Sequence, residues 1–332
     1  MIAFSVIIPV FNVEHYIEQC IRSVLSQNYP DYEIIIIDDG SDDRTNKLIQ
    51  KLREKNPCIM LKSICHSGAG AARNVGLHEA SGEYVIFLDA DDYWINPYLL
   101  KSLDAKLTQQ RADVVMFRMD KYTEDGKLLK KYRKAPLPAD KACYRLPDVY
   151  EALVKDGQVL ASACNKCVRR SMLISHHIEF QEGGYAEDID WVLQLFSVAE
   201  TISFINEISY AYRQHRKGSA SKNRSGPNYQ AKMIEGWAER MIRENISNKK
   251  AVAGLLAFEY GICFGYWHHL SAEMKKMMEE RQYLLDYALD RKTKMIRRFK
   301  KIFGLHLTCT AIRIYLFIRR LSYGRIKEKK EK

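Results

Sequence analysis

Short apolar runs alternate with amphipathic segments along the first part of the chain. Phe4–Pro9 and the β-branched run Glu33–Ile37 have the composition of strands that are covered on both faces. The same pattern predicts further strands near 59–64, 84–88 and 113–117, and helices near 13–27, 42–54 and 70–80. Asn12 precedes the first of these helices and is expected to cap it. The alternation predicts an α/β fold with a mostly parallel, doubly wound sheet.

The pattern changes after this alternating region. Residues 119–147 are polar and rich in lysine, which predicts an excursion over one face of the sheet. Ile202–Ile205 and Ile208–Tyr212 are predicted to pair as a hairpin. Amphipathic periodicity predicts one helix after Glu187 and two or more helices over 229–288. The second half is therefore expected to be mainly helical.

The charge is concentrated at the end of the chain. The net charge is +11, but residues 291–332 hold fifteen Lys or Arg against two Glu, so the rest of the chain is near −2. This distribution argues against a nucleic-acid-binding core. Apolar residues are interleaved with these cations, and Arg313 and Arg319-Arg320 interrupt every apolar stretch before about 20 residues. We therefore expect a helix that lies in the headgroup layer of an anionic membrane, the alternative being an ordinary amphipathic helix with a disordered tail.

These patterns divide the chain into three predicted regions, and the cysteines indicate the cellular compartment of the protein. The regions are an α/β domain over 1–220, a helical extension over 221–290 and a basic amphipathic tail over 291–332. Eight cysteines are scattered without framework spacing, and no signal peptide precedes the first strand, which predicts a cytoplasmic protein. Cys164 and Cys167 form a CxxC, but no second pair completes a zinc site, so we expect both to be structural.

Two of the predicted strands end in acidic residues. Asp38-Asp39 follows the second strand, and Asp89, Asp91 and Asp92 follow the fourth. In parallel α/β sheets the ligand binds at the carboxyl ends of the strands. Carboxylates this close repel one another unless a cation compensates them, and Mg²⁺ or Mn²⁺ bound this way usually completes its coordination with water and phosphate oxygens. The pattern predicts a metal and a phosphate-bearing ligand; a solvated acidic turn is the alternative.

Other segments offer weaker signals. His66–Asn74 is a glycine-containing turn into a helix, which suits close approach of the backbone to a nucleotide. Glu187 and Asp188 follow two glycines at the start of a helix, where acids also serve as caps. The basic segment Arg213–Ser219 could close over a diphosphate or be a solvated loop. No one of these motifs is specific by itself.

As a set, these motifs and their spacing strongly resemble the family 2 glycosyltransferases of GT-A fold. The resemblance rests on Phe4–Pro9, Asn12, Ser23–Gln27, Asp38–Ser41, Gly68–Asn74, Asp89–Asp92 and Glu187-Asp188, and it covers about residues 1–220. It implies a GT-A, Rossmann-like sheet flanked by helices, with a helical C-terminal extension. It also implies inverting transfer of a sugar from a nucleotide-activated donor, most often UDP-linked, to an acceptor hydroxyl.

The resemblance assigns roles residue by residue. It places Pro9, Phe11, Asn12, Asp39, Arg73, Asp89 and Asp91 at the donor nucleotide, with Asp39 on uracil and Arg73 beside the base. Asp91 and Asp92 correspond to ligands of Mn²⁺ or Mg²⁺, and the sequence leaves open which binds more directly. Asp188 corresponds to the catalytic base, with Glu187 holding the base or the acceptor. The diphosphate and acceptor region would include Lys166, Arg213, His215, Arg216 and Ser219.

The resemblance also suggests the class of acceptor. The chain lacks the multi-span regions and the QxxRW-like stretch of processive synthases, so it is expected to add one or a few sugars per encounter. With the basic tail, the expected acceptor is a lipid-linked glycan at the inner face of the bacterial plasma membrane, in capsule, exopolysaccharide or O-antigen assembly. The alternatives are a non-catalytic nucleotide-binding scaffold and a sugar nucleotidyltransferase, although Pro9–Asn12 lacks the glycine-rich loop of the latter.

Overall fold

The computed structural model describes residues 3–130, 141–159, 161–183, 187–214 and 226–328. The chain divides into two compact units. The first comprises Met1–Val149 and Leu160–Ala220, and the second comprises Tyr150–Val159 and Ser221–Lys332. Residues 150–159, which the sequence placed in the α/β domain, therefore group with the helical part.

Among its described residues, the first unit contains one mixed sheet of ten strands. They are β1 (Phe4–Val10), β2 (Tyr32–Asp38), β3 (Ile59–Ser63), β4 (Tyr84–Phe87), β5 (Tyr93–Trp94), β6 (Val114–Tyr122), β7 (Leu128–Lys130), β8 (Tyr144–Arg145), β9 (Lys166–Arg169) and β10 (Thr201–Arg213). The main order is β3-β2-β1-β4-β9-β6-β10-β5. The first four strands are parallel, β9 enters antiparallel between β4 and β6, and β6 pairs parallel with β10. The predicted parallel half therefore carries the acidic strand ends.

Helices cover the sheet because their apolar sides and the sheet's apolar faces must both be buried. In chain order they are α1 (Ile17–Leu25), α2 (Thr45–Arg53), α3 (Ala69–Glu79), α4 (Leu99–Gln109), α5 (Leu146–Lys155), α6 (Arg170–Ser175) and α7 (Glu187–Val198). The run Ile34–Ile37 is completely buried in β2, as its β-branched composition predicts. Gly76 on α3 sits against β1, where an added Cβ would lie 2.4 Å from Cγ2 of Ile7.

The predicted hairpin in 202–212 is wrong. These residues form the single strand β10, which pairs with β6 from Ile202 to Arg213 with two register shifts. The register shifts between Ile205, opposite Phe117, and Ile208, opposite Arg118. Asn206 and Glu207 are therefore absorbed as an irregularity in one strand and do not reverse the chain.

The start of α1 also differs from the prediction. The helix begins at Ile17, and Asn12 does not cap it. Asn12 has φ 50°, and its Oδ1 accepts a hydrogen bond from the backbone N–H of Asp42 at 3.0 Å. Its own N–H donates to Oγ of Ser41 at 3.1 Å. Asn12 thus ties the loop after β1 to the loop after β2.

The segment 119–147, which was predicted to be an excursion over the sheet, is partly strand, in β6 to β8. Its residues 131–140 lie outside the described residues.

The second unit is helical. It contains α8 (Gly226–Arg243), α9 (Lys249–Cys263), α10 (Ala272–Glu280), α11 (Arg291–Glu328) and the 3-10 helices Phe264–His269 and Gln282–Tyr287. Two glycines let α11 pack closely against α9 and the 3-10 helix Phe264–His269. A Cβ at Gly261 would lie 3.3 Å from Ile296, and one at Gly265 would lie 2.5 Å from Leu316. By length and composition, the helical stretch Arg291–Ile318 meets the criterion for a membrane-crossing helix, because it contains an 18-residue window with a mean hydropathy of 1.4. This finding differs from the prediction that cations interrupt every apolar stretch before about 20 residues.

Candidate active site

The acidic loop after β4 is anchored to β10. Asp92 is almost completely buried, and its two carboxylate oxygens accept hydrogen bonds from the hydroxyl of Tyr210 and from the backbone N–H of Arg213, both at 2.6 Å. Burial, followed by the charges of Asp91 and Asp89, raises the pKa of Asp92 well above its usual range. Asp91 is only partly buried. The loop therefore leaves Asp91 partly accessible to solvent and buries Asp92.

Arg213 supports this loop from behind. Its guanidinium donates to the carbonyl of Asp91 and to Oε1 of Gln19. It also lies 4.9 Å from the ring centroid of Tyr16 and 5.2 Å from that of Tyr93. The side chain is 6% exposed, so the structure makes Arg213 a brace for the acidic loop where the sequence predicted a contact with the diphosphate.

Arg73 lies at the centre of a cluster of carboxylates. Its guanidinium is 2.8 Å from Oδ1 of Asp89, 3.4 Å from Oδ1 of Asp188 and 3.5 Å from Oε1 of Glu187. The ring of Phe180 covers it, with the guanidinium carbon 5.1 Å from the ring centroid. The sequence placed Arg73 beside the base of the nucleotide. In the structure it joins the acidic loop to the first turn of α7.

Asp188 combines limited solvent access with an unsatisfied oxygen. Its side chain is 27% exposed, and no described residue donates a hydrogen bond to its buried Oδ1. Burial raises the pKa of Asp188 to about 6, the positive charge of Arg73 opposes this rise, and the negative charges of Asp89 and Glu187 add to it. A carboxylate with a pKa near neutrality is suited to accept a proton.

Lys166 lies in the wall behind Asp188. It is fully buried, and its Nζ donates to the carbonyl of Ser162 at 2.5 Å and to Oδ1 of Asn165 at 2.8 Å. Burial lowers the pKa of Lys166 to about 7, while the negative charge of Asp188 acts in the opposite direction. Lys166 therefore holds the Ser162 loop, where the sequence predicted a contact with diphosphate or acceptor.

The other end of the site is formed by the loops after β1, β2 and β3. Phe11 is 42% exposed and stacks on the ring of His66, with centroids 4.1 Å apart. Asp39 is buried and accepts hydrogen bonds from the backbone N–H groups of Ser67 at 2.7 Å and Gly68 at 2.9 Å. Pro9 is buried within β1. Asp39 thus shapes the glycine-containing loop beside an exposed aromatic face.

A cavity of about 210 Å³ opens beside the acidic loop, between β6, β10, the segment before β9 and the first turn of α7. Asp89, Asp92 and Asp188 line it, together with Met119, Ala161, Ser162, Tyr210 and Tyr212. Tyr210 could not be predicted as a site residue from the sequence, because the pattern around it resembles a hairpin. Its place on β10, next to β6, brings its hydroxyl to Asp92. His215, Arg216 and Ser219 lie outside the described residues.

The family follows from comparison with known proteins. The family model described as "Glycosyl transferase family 2" matches residues 5–174, just over half of the chain. This chain belongs to glycosyltransferase family 2. The resemblance read from its motifs is therefore confirmed. The fold is confirmed by the crystal structure of Staphylococcus aureus TarS 1–349 in complex with UDP-GlcNAc, with a TM-score of 0.71 at 22% identity over 94% of this chain and 90% of that chain.

Relatives of this family 2 member are bacterial glycosyltransferases. It is 30% identical over 222 residues to the poly(ribitol-phosphate) β-N-acetylglucosaminyltransferase TarS of S. aureus, and 29% identical over 222 residues to glycosyltransferase GlyA of Streptococcus pneumoniae. These matches cover 66% of this chain but only 36% and 31% of the two relatives. A cholesterol galactosyltransferase of Borreliella burgdorferi is 32% identical over 66% of this chain and 62% of its own length.

Proposed function

We propose that this chain is an inverting glycosyltransferase that moves a sugar from a UDP-sugar to a hydroxyl of a glycan acceptor, with Asp188 as the general base. The observation that carries the proposal is the position of Asp188: its unsatisfied, partly accessible carboxylate lines the same cavity as the acidic loop. A positioned base of this kind typically accelerates a transfer by 10²–10⁴-fold.

The chemistry follows from the roles of the described residues. The carboxylate of Asp188 takes the proton from the acceptor hydroxyl as its oxygen bonds to the anomeric carbon, and the bond to the nucleotide diphosphate breaks on the opposite face. Configuration at that carbon inverts because one displacement occurs. Arg73, at 3.4 Å, keeps Asp188 ionised near neutral pH and holds Asp89 beside it. Glu187 shares the same guanidinium and helps to hold the base.

The proposal includes a divalent cation at the acidic loop. Among the residues that the structure describes, no three His, Cys, Asp or Glu side chains form a group that could hold a metal by themselves. Mg²⁺ or Mn²⁺ would instead be held by the partly accessible Asp91 together with the diphosphate and water. Asp92 is engaged by Tyr210 and Arg213, so its role is to fix the loop. When bound, the cation stabilises negative charge on the departing diphosphate.

The donor and acceptor are proposed by class. TarS has been crystallised with UDP-GlcNAc and with UDP, which supports a UDP-linked hexose or N-acetylhexosamine as the donor here. Phe11 offers an exposed ring for the base and Asp39 shapes the adjoining loop. The relatives act, by their names, on ribitol phosphate polymer and on cholesterol, which supports a surface glycan or lipid-linked acceptor. We place the protein peripherally at the inner face of the plasma membrane, in polysaccharide assembly.

Nucleotide binding provides the first test. The thermal midpoint of the full chain is measured with UDP, GDP, CDP and TDP, each with and without Mn²⁺. We expect UDP with Mn²⁺ to give the largest rise, of several degrees, and Asp91→Ala to lose the Mn²⁺-dependent part. Asp125→Ala, which removes an exposed acid in another turn, should behave as the unaltered protein. No rise with any nucleotide would overturn the proposal in favour of a scaffold with a structural acidic cluster.

A further inference from the structure

The long helix α11 is two helices joined at a break. Gly304 has φ 75° and ψ 174°, which lies outside the helical region and is readily adopted only by glycine. In the piece that follows, Thr308 and Cys309 are buried, and Leu316 approaches Gly265 of the 3-10 helix in the same unit. One face of this piece therefore packs against its own unit.

The opposite face of the same piece is also apolar. Leu307, Ile314, Phe317 and Ile318 are each more than half exposed. Their spacing of seven, ten and eleven residues from Leu307 places them on one side of a helix with 3.6 residues per turn. Helices of soluble proteins usually carry polar residues on the side away from the core. An apolar face that is exposed in this way is typical of a surface that binds a partner.

The piece of α11 before the break also exposes apolar residues, and cations border them. Met295 and Ile302 are 65% and 73% exposed, and they lie seven residues apart on one side. Lys294, Arg298 and Lys301 are exposed along the same flank. Long basic side chains can keep their stems against apolar surface while their charges reach phosphate groups. An apolar stripe bordered by cations is typical of helices that lie in the interface of an anionic bilayer.

We propose that the exposed apolar faces of the two pieces of α11, with Met295 and Ile302 before the break and Leu307, Ile314 and Phe317 after it, dock on an anionic lipid bilayer with the helices lying in the headgroup layer. The charge of the flanking residues favours anionic lipid over a neutral surface. The break leaves only 305–318 before Arg319-Arg320, a helical length of about 21 Å, which is short of the roughly 30 Å of a hydrocarbon core. The surface therefore lies on the membrane and does not cross it.

Such docking would give the proposed transferase access to a lipid-linked acceptor, and in that respect the inference rests on the proposed function. The binding surface itself is independent of the reaction. Vesicle binding without donor tests the surface, and UDP binding tests the transferase site. Failure of one measurement leaves the other result intact, so the two failures are distinguishable.

The test is flotation of the full chain with phosphatidylcholine vesicles, with and without about one third phosphatidylglycerol. We expect binding to the anionic vesicles only, with a marked fall at 0.5 M salt as the charges are screened. Replacing Leu307, Ile314, Phe317 and Ile318 together by Gln should lower the partition coefficient by about tenfold or more. Because these side chains are exposed, the quadruple variant is expected to keep the thermal midpoint of the unaltered protein.

A matched control replaces another exposed isoleucine of the helical unit. Ile242 on α8 is 73% exposed, and Ile242→Gln should bind vesicles as the unaltered protein does. Equal vesicle binding by the quadruple variant would overturn the proposal. So would dimers of the unaltered protein that the quadruple variant dissociates, since the face would then belong to a second copy. Retention in vesicles through high salt and alkaline carbonate would also overturn it, because that behaviour indicates a spanning helix.

Discussion

At the scale of single residues, Arg73 connects the two halves of the site. It contacts Asp89 of the acidic loop and Asp188 of α7, and it is buried beneath Phe180. A buried guanidinium needs compensating carboxylates, and a buried carboxylate next to it is kept ionised at a lower pH than it would be alone. Arg73 therefore acts as a positioning residue that sets the protonation of the base.

Removal of this charge predicts a change in pH dependence. Burial raises the pKa of Asp188 and Arg73 lowers it, so Arg73→Gln should raise the pKa further. Because the base must be ionised, the acidic limb of the kcat/KM profile should move to higher pH by about one pH unit or more. The measurement is donor turnover from pH 5 to 9.

The conservative variant separates charge from packing. Arg73→Lys keeps the positive charge and should return the acidic limb most of the way towards its original pH, even if turnover stays reduced. A profile for Arg73→Gln that falls equally at every pH would contradict the account, since loss of structure alone lowers the rate without moving the limb.

The residue scale also shows what a sequence pattern can predict. Asp89, Asp91 and Asp92 could be placed at a site because parallel strand ends meet at one edge of a sheet. The pairing of Arg73 with Asp188 could not, because it depends on where α7 starts relative to α3 in three dimensions. For the same reason Arg213 and Lys166 read as open cations in the sequence but are buried supports in the structure. The presence of a cation in a sequence motif does not show whether its side chain contacts a ligand or is buried in the core.

At the scale of elements, the start of β4, at the opposite end of the strand from the acidic loop, depends on close backbone packing. Gly82 lies before β4, and its N–H donates to Oγ of Ser5 at 2.8 Å. A Cβ at Gly82 would lie 2.6 Å from the backbone nitrogen of Ser5 and 2.8 Å from the carbonyl carbon of Phe4. Backbone atoms of a central strand cannot move aside as a flexible side chain could. β4 therefore reaches its place, and carries Asp89 with it, only with glycine at this position.

Gly82→Ala is expected to destabilise the protein by about 1–3 kcal/mol, measured by denaturant unfolding followed by far-UV circular dichroism. The control is Gly236→Ala on α8, where the added Cβ meets nothing within 4 Å. That variant should stabilise its helix by about 0.5–1 kcal/mol, since alanine favours helix over glycine. A Gly82→Ala protein as stable as the unaltered one would show that β4 can shift without cost.

Helices and strands could be predicted correctly where the local pattern of apolar residues alone determines them. The apolar runs of β1, β2 and β4 and the amphipathic repeats of α1 and α7 determine those elements locally. The strand β10 was misread because Asn206-Glu207 has the polar character of a turn. Its pairing with β6 over nearly the whole strand outweighed that local signal. Pairing with a distant strand is a property of the assembled sheet.

At the scale of the whole molecule, charge and chemistry are separated along the chain. The sheet unit carries the carboxylates around the cavity, and the final 42 residues carry a balance of +13. In the proposed function, the carboxylates of the first unit act at the donor sugar nucleotide, and the cations at the end of the second unit bind the membrane. The sugar transfer that we propose, with Asp188 as the base, is performed by carboxylates of the first unit.

The most direct measurement compares Asp188→Asn with the unaltered protein in two assays, which are UDP release from the UDP-sugar in the presence of a bacterial lipid extract and the Kd for UDP. The substitution keeps the shape of the side chain but removes its basicity. The account predicts a fall in turnover of about 10²–10⁴-fold with a Kd for UDP within about twofold of the original. Unchanged turnover would contradict the assignment of the base, and a loss of UDP binding equal to the loss of turnover would place Asp188 in the nucleotide site instead.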